Sequence, residues 1–172
     1  MRKRIIVGAV AIVLGLGVAS TFLLPDSVQL ERRAIVAAAP QAVLALAASN
    51  EGYQRFNPYK NTDPSLQITH FGPQSGIGSG FKFVGKEGQG SQTVVDLTNT
   101  RVGYQIDMGS MGKPTQSITA RAHPKGSEVV WTMELELGAN PVMRVFGLAM
   151  DGMIGPTLET GLSNLNTALK PA

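Results

Sequence analysis

The chain has 172 residues and is 43% hydrophobic, a composition that rules out wholesale disorder and allows one core of ordinary size. It contains no cysteine, which excludes disulfides, thiol nucleophiles, thiolate metal sites and a lipid-modified cysteine. The formal charge is +3, but three of the fifteen basic residues, Arg2, Lys3 and Arg4, sit at the tip, and the other twelve balance twelve acids. Those twelve are scattered rather than clustered, so no phosphate-tracking groove and no nucleic-acid partner are expected.

Residues 5–24 open on Ile5, close on Leu24 and carry no charge. A helix of that length spans about 30 Å, the thickness of a bilayer's hydrocarbon. Basic residues flanking a span stay on the cytoplasmic side, so the rest of the chain is expected on the periplasmic or extracellular side. Pro25 and Asp26 end the apolar run. Gly8 and Gly15 share one face, but no glycine pair has the four-residue spacing of a dimer motif, and the oligomeric state is left open. The alternative is a cleaved signal peptide and a secreted domain, with Val18, Ala19 and Ser20 as the cleavage region. The run exceeds the roughly 7–15 residues of a signal core, and Phe22, Leu23 and Leu24 continue it, which favours an uncleaved anchor. The chain thus divides into a basic tip and anchor, 1–25, and one folded domain, 26–172.

Within that domain, residues 28–36 read as a strand rich in β-branched side chains. Pro40 fits a first helical turn, and residues 41–48 are strong helix formers. Asn50, Glu51 and Gly52 break or re-cap this helix, with a second short turn from Tyr53 to Phe56. From Leu66 the period becomes two: residues 67–71, 81–83 and 91–98 read as strands, with Lys86, Glu87 and Gly88 as a hairpin turn. Val102, Tyr104, Ile106 and Met108 alternate with wetter residues, and Ile118, Ala120 and Ala122 do the same. After the turn at Pro124, Lys125 and Gly126, Trp131, Met133, Leu135 and Leu137 alternate with Thr132, Glu134 and Glu136, the clearest half-buried strand in the chain. Asn140 and Pro141 open a helix with an apolar stripe of Val142, Val145, Phe146, Ala149, Met150 and Met153. Leu158, Leu162, Leu165 and Leu169 make a second stripe, and Gly155 with Pro156 between them predicts a kink or two abutting helices.

This order predicts an α+β domain: a curved antiparallel sheet of about seven strands around a long C-terminal helix, with two short helices after the first strand. A sheet with one apolar face must be covered, and a curved sheet around one helix leaves a hollow suited to a ligand.

At this point a resemblance emerges. Residues 28–33 followed by Ala38, Ala39, Pro40, Gln41, Ala42 and Val43 are similar to the first strand and "Ala-Pro-x-x-Val" helix entry of the polyketide cyclase/dehydrase branch of the START-like superfamily. These proteins are also called SRPBCC or helix-grip proteins. Phe56, Asn57, Pro58 and Tyr59 resemble the family's "Trp-Asn-Pro-Trp" motif with other aromatics in place of both tryptophans. Gly76 to Phe81 resembles its glycine-rich approach to a strand, Glu128 to Met133 its "Thr-x-Val-x-Trp" strand, and Gly161 to Leu165 its closing helix. The resemblance implies binding or transport of lipids or other hydrophobic small molecules, with enzymes a minority, and carries over no catalytic residue. Fold-level likeness assigns no reaction.

The candidate lining of the hollow is Phe83, Tyr104, Ile106, Met108 and Ile118 from the sheet, Trp131 and Met133 from its clearest strand, and Phe146, Met150 and Met153 from the helix. Methionine adapts to varied shapes, and Trp and Tyr bring a polar tip to an apolar wall. Plain core packing of the same residues is the competing reading. Gly76, Gly78, Gly80, Gly85, Gly88 and Gly90 precede strands rather than a helix, so they read as turn and bulge glycines, not a phosphate loop. His70 and His123 are the only histidines, no metal or cofactor is expected, and dyads of His123 with Asp107 or His70 with Asp96 have no support from spacing. Glu134 and Glu136 should face solvent. Asp96 lies between Val95 and Leu97, whose face reads as inward, so it should point outward; the reversed register would bring it into the hollow as an acid or base. Met111 to Pro114 reads as a loop able to gate the hollow. Three functions remain in view: a tethered binder of an apolar molecule or lipid, a cyclase-, dehydratase- or hydrolase-like enzyme, and an envelope interaction module with a filled core.

Overall fold

The structure is a computed structural model that describes residues 23–86 and 88–170, so the expected anchor lies almost wholly outside it. Among the described residues no helix is long and apolar enough to cross a membrane. The chain runs through strand β1 (Ser27–Val36) and helices α1 (Pro40–Ala47), α2 (Asn50–Gln54) and α3 (Tyr59–Thr62). Six strands follow: β2 (Gln67–Phe71), β3 (Gly80–Gly85), β4 (Gly88–Leu97), β5 (Arg101–Asp107), β6 (Thr115–His123) and β7 (Gly126–Glu136). Helices α4 (Pro141–Gly147) and α5 (Met150–Ala168) close the domain.

The seven strands form one antiparallel sheet in the order β1-β7-β6-β5-β4-β3-β2. Consecutive strands from β2 to β7 are neighbours because short connections of two to eight residues join them, and β1 completes the sheet beside β7. The inner face carries Leu30 and Val36 of β1, Tyr104 of β5, Ile118 of β6, and Val129 and Trp131 of β7, all buried. Helix α5 lies over β1, and α1 packs over β5 and β6. Leu158, Leu162 and Leu165 of α5 join the core, as the leucine spacing requires.

Two glycines set how closely α5 approaches the sheet. A Cβ at Gly161 would overlap the six-membered ring of Trp131, and one at Gly155 would overlap the Arg32 guanidinium. Arg32 projects beneath α5 and pairs with Asp151 at 2.9 Å and Glu159 at 2.7 Å, on either side of Gly155 in sequence. These carboxylates hold the guanidinium pKa above its ordinary value, and Arg32 in turn holds that of Asp151 below the usual carboxylate range.

The chain departs from the sequence reading at four points. Helix α5 runs uninterrupted through Gly155 and Pro156, and the break falls earlier, at Leu148 and Ala149. Gly152, whose carbonyl the proline leaves without its helical donor, and Pro156 itself both lie exposed, where solvent can replace the lost bond. Helix α2 starts at Asn50 and is capped by Ser49, whose Oγ accepts from the Gly52 N–H at 3.2 Å. Helix α3 is a further turn that the sequence reading did not separate from a loop. The register of β4 against β5 shifts between Val94 and Asp96, a bulge that leaves Val95 53% exposed rather than inward, while Leu97 keeps its inward place opposite Val102. Asp96 lies outside, paired with Arg101.

The glycine-rich stretch before β3 is a braced turn. Asn50 Nδ2 donates to the carbonyls of Phe71 and Pro73, both at 3.1 Å, and its Oδ1 accepts from Ser79 Oγ at 2.8 Å. Gly72 takes φ +70°, where a Cβ would overlap the Gly78 carbonyl.

Candidate functional site

A cavity of about 270 Å³ opens over the inner face of β3 to β7, at the end of the sheet that α1 and the leucine half of α5 leave uncovered. Its sheet wall is Phe81 and Phe83 of β3, Gln92 of β4, Ile106 of β5, Gln116 of β6 and Met133 of β7, with Met108 just past β5. Tyr53 of α2, Asn57, Tyr59 of α3, Asp63 and Leu66 form one side, and Phe146, Met153 and Ile154 close the other. Phe146 and Met153 line the cavity while 42% and 58% exposed, so the cavity opens to solvent between α4 and the start of α5.

Six of the ten residues expected at the site border this space: Phe83, Ile106, Met108, Met133, Phe146 and Met153. The other four do not. Tyr104 points inward, but α1 covers it and its hydroxyl donates to the Ala47 carbonyl at 2.9 Å. Ile118 is sealed at 0% exposure, paired across the ladder with Trp131. Trp131 is itself enclosed by Gly161, by Phe56 at 5.7 Å between ring centroids and by Tyr53 at 6.2 Å. Met150 falls into a second small core with Leu135 and Leu137. Tyr104, Ile118 and Trp131 do face inward, but at stations along the sheet that α1 and α5 fill.

The polar residues of the cavity were not singled out from the sequence. Gln92 precedes buried Val94 by two residues, and Gln116 precedes Ile118 by two, so the period of a strand puts both amides on the inner face. That parity was the available signal. The Trp131 Nε1–H donates to Gln116 Oε1 at 3.0 Å, so a residue taken for cavity wall instead orients one. Burial pushes the Tyr53 phenol up, and the Gln92 amide that bonds to it offsets this in part. The phenol is therefore neutral and keeps its proton throughout the physiological range.

Asp63 is the one acid on the wall, and it is already satisfied. It accepts from the Ser65 N–H at 2.9 Å, the Ser65 hydroxyl at 2.5 Å and the Lys86 N–H at 2.6 Å. The Ser65 hydroxyl, then the Lys86 N–H, hold its pKa below the usual carboxylate range. It fastens the β3–β4 hairpin to the segment after α3 rather than standing ready as a base. Asn57 is similarly engaged, donating to Gln54 Oε1 at 2.9 Å and accepting from the Tyr59 N–H at 3.1 Å.

Neither histidine–aspartate dyad forms. His123 Nδ1 accepts from the Lys125 N–H, His70 is exposed, and Asp107 pairs with Lys113 at 2.9 Å. Among the described residues no three histidine or carboxylate side chains gather as a metal site. The loop after β5 makes a 3₁₀ turn, Gly109–Met111, and Gln105 Nε2 bonds the Lys113 and Pro114 carbonyls, at 3.1 and 3.2 Å. The arrangement can desolvate an apolar body and offer a few neutral hydrogen-bonding groups.

The same architecture occurs in solved structures of low sequence identity. A protein from Chromobacterium violaceum is 14% identical, with 86% of this chain and 100% of that one covered and a TM-score of 0.60. Norcoclaurine synthase from Thalictrum flavum, in complex with dopamine and hydroxybenzaldehyde, is 14% identical over 85% of this chain and 90% of that one, with a TM-score of 0.61. The di-domain ARO/CYC StfQ of the steffimycin biosynthetic pathway is 12% identical over 82% and 50%, with a TM-score of 0.59. At these identities the likeness is one of fold. No curated protein matches the sequence. Residues 27–170 match the family described as polyketide cyclase / dehydrase and lipid transport, and the chain belongs to that family.

Proposed function

We propose that this protein binds a small, mostly apolar molecule in the cavity between the sheet and the α4–α5 corner, and does so at a membrane surface. The observation that carries the reading is the open space itself, about 270 Å³ and walled largely by Phe, Ile, Leu and Met. Interiors close-pack unless something keeps a hollow useful, and an apolar hollow with a few polar groups is the usual form of a ligand site. An unfilled interior of this size also removes the main support for a filled-core interaction module. The family description, which includes lipid transport, points the same way. Affinity comes chiefly from buried apolar area, about 25 cal/mol per Å² before ordering costs.

Tethering rests on the apolar residues 5–24 and on the place of Leu24 at their end. Arg144 Nη1 of α4 donates to the Leu24 carbonyl at 2.9 Å, so Leu24 lies beside α4. Val142, Val145 and Leu148 are exposed there, close to the opening of the cavity. In this reading the domain sits outside the cytoplasm, with its opening near the bilayer.

Mass spectrometry of solvent extracts from the purified full chain tests the ligand reading. A recurrent apolar species, absent from extracts of an Ile106→Trp variant, is expected. Empty extracts, together with no binding across a panel of small aromatic and acyl compounds, would refute it. Alkaline carbonate washing of membranes tests the tether: the full chain should stay in the pellet, and its release would contradict anchoring.

A further inference from the structure

Gln116 has only one way to face its neighbour. An indole N–H donates and cannot accept, so the Gln116 atom 3.0 Å from Trp131 Nε1 must be the carboxamide oxygen. The amide nitrogen is therefore turned away from Trp131. Trp131 is 1% exposed and held by Tyr53, Phe56 and Gly161, so flipping the amide would orphan a buried donor. Among the described residues no acceptor takes the Gln116 Nε2 hydrogens, and Nε2 is not sealed from open space. Gln116 lies on the cavity wall. A fixed donor thus stands in an apolar pocket without a protein partner.

We propose that Gln116 recognises the polar end of the ligand, a neutral hydrogen-bond acceptor such as a ketone or ester carbonyl on an otherwise hydrocarbon body. The inference rests on the reading of the cavity as a ligand site and names its chemistry. The wall selects against charge. It holds no Lys or Arg for an anion, and its one carboxylate, Asp63, faces an anion with like charge and has its oxygens engaged by Ser65 and Lys86. Size narrows the class further. A cavity of about 270 Å³ lies at the small end of ligand pockets and suits a one- or two-ring molecule or a short single chain. Trp131 acts here as a positioning residue, setting which end of the amide the ligand meets.

The test compares 1-tetralone with tetralin, which share a two-ring body and differ in the carbonyl. Calorimetric titrations use the full chain in phosphatidylcholine vesicles, with wild type and Gln116→Met; comparing ligands and variants as a cycle cancels partition into lipid. Wild type should prefer 1-tetralone about ten-fold, equal to about 1.4 kcal/mol. Gln116→Met should lose that preference while keeping its affinity for tetralin. Equal binding of the two by wild type, or a preference that survives in Gln116→Met, overturns the proposal while leaving the cavity reading intact. Failure of wild type to bind either compound overturns the proposal, and the cavity reading falls with it when the extracts and the wider panel are also negative. Should Gln116→Met not fold, isotope-edited infrared spectra of carbonyl-labelled 1-tetralone on wild type decide. A carbonyl band at lower frequency than in alkane or in protein-free vesicles supports the proposal, and its absence refutes it.

Discussion

Gly161 of α5 seats against the six-membered ring of Trp131 with no room for a methyl group between them. Gly152, nine residues earlier on the same helix, has nothing within 4 Å of where its Cβ would lie. The two glycines therefore respond to alanine in opposite directions. Helix propensity favours Ala at both by about 1 kcal/mol. At Gly152 nothing opposes this, so Gly152→Ala should stabilise by about 0.5–1 kcal/mol. At Gly161 the ring or the helix must move, and overpacking of this kind costs about 1–3 kcal/mol, enough to make Gly161→Ala destabilising overall. Urea denaturation of both variants reads the signs directly.

The carboxylates give the domain an acid-side weakness. Asp63, Asp107 and Asp151 all have folded-state pKa values held below the usual range, chiefly by the Ser65 hydroxyl, Lys113 and Arg32 respectively. A depressed value means the folded state prefers the ionised form. The resulting stabilisation is complete above the ordinary aspartate pKa of about 3.9 and is lost as pH falls through the lower folded values. The melting temperature should hold steady from pH 7 to about 5 and drop below about pH 4. Asp63→Asn should melt lower at neutral pH, since one donor then faces an amide N–H₂, and should lose less on acidification than the wild type.

Residues inside and outside the cavity should separate in binding and stability. Ile106→Phe adds volume into the open space, so it should weaken an apolar probe at least ten-fold while changing stability by less than about 1.5 kcal/mol. Ile118→Val, in the sealed core, should cost about 0.5–1.5 kcal/mol of stability and leave probe affinity unchanged. Titration of tetralin and thermal unfolding on both variants check the pair.

The same distinction shows what the sequence carries. The alternation of β7 and the leucine spacing of α5 are local patterns, and they locate the core face of each element without tertiary information. Where along an inward face another element presses is not local. Tyr104, Ile118 and Trp131 have the same parity as Ile106 and Met133, and only the placement of α1 and α5 decides which are sealed and which border open space. The bulge at Val95 inserts one residue into the β4 ladder, leaving Val95 exposed and setting Asp96 opposite Gly103, a shift with no signature in an apolar run. Pro156 implies a kink or two abutting helices because it removes a ladder bond and crowds the preceding turn, but Gly152 and Pro156 lie where water reaches. Gln92 and Gln116 are hard to recognise because a polar residue in an alternating strand ordinarily belongs to the wet face, although their parity places them inside.

Trp131 offers a further check, since it is the only tryptophan in the chain. Trp131→Phe keeps an aromatic ring beside Gly161 but removes the donor to Gln116. It should destabilise by about 1–3 kcal/mol, from the lost bond and the smaller ring. Chemical denaturation followed by far-ultraviolet circular dichroism measures this without relying on the missing fluorophore.

The most direct measurement is a crystal structure of the protein with a bromine-substituted 1-tetralone, read from the anomalous signal of the halogen. The account predicts one dominant bromine peak among Phe83, Ile106, Met133 and Phe146, with the ligand oxygen within hydrogen-bond distance of Gln116 Nε2. Bromine found only on the outer surface, or an interior collapsed around Ile106 and Met133 with no ligand inside, would contradict it.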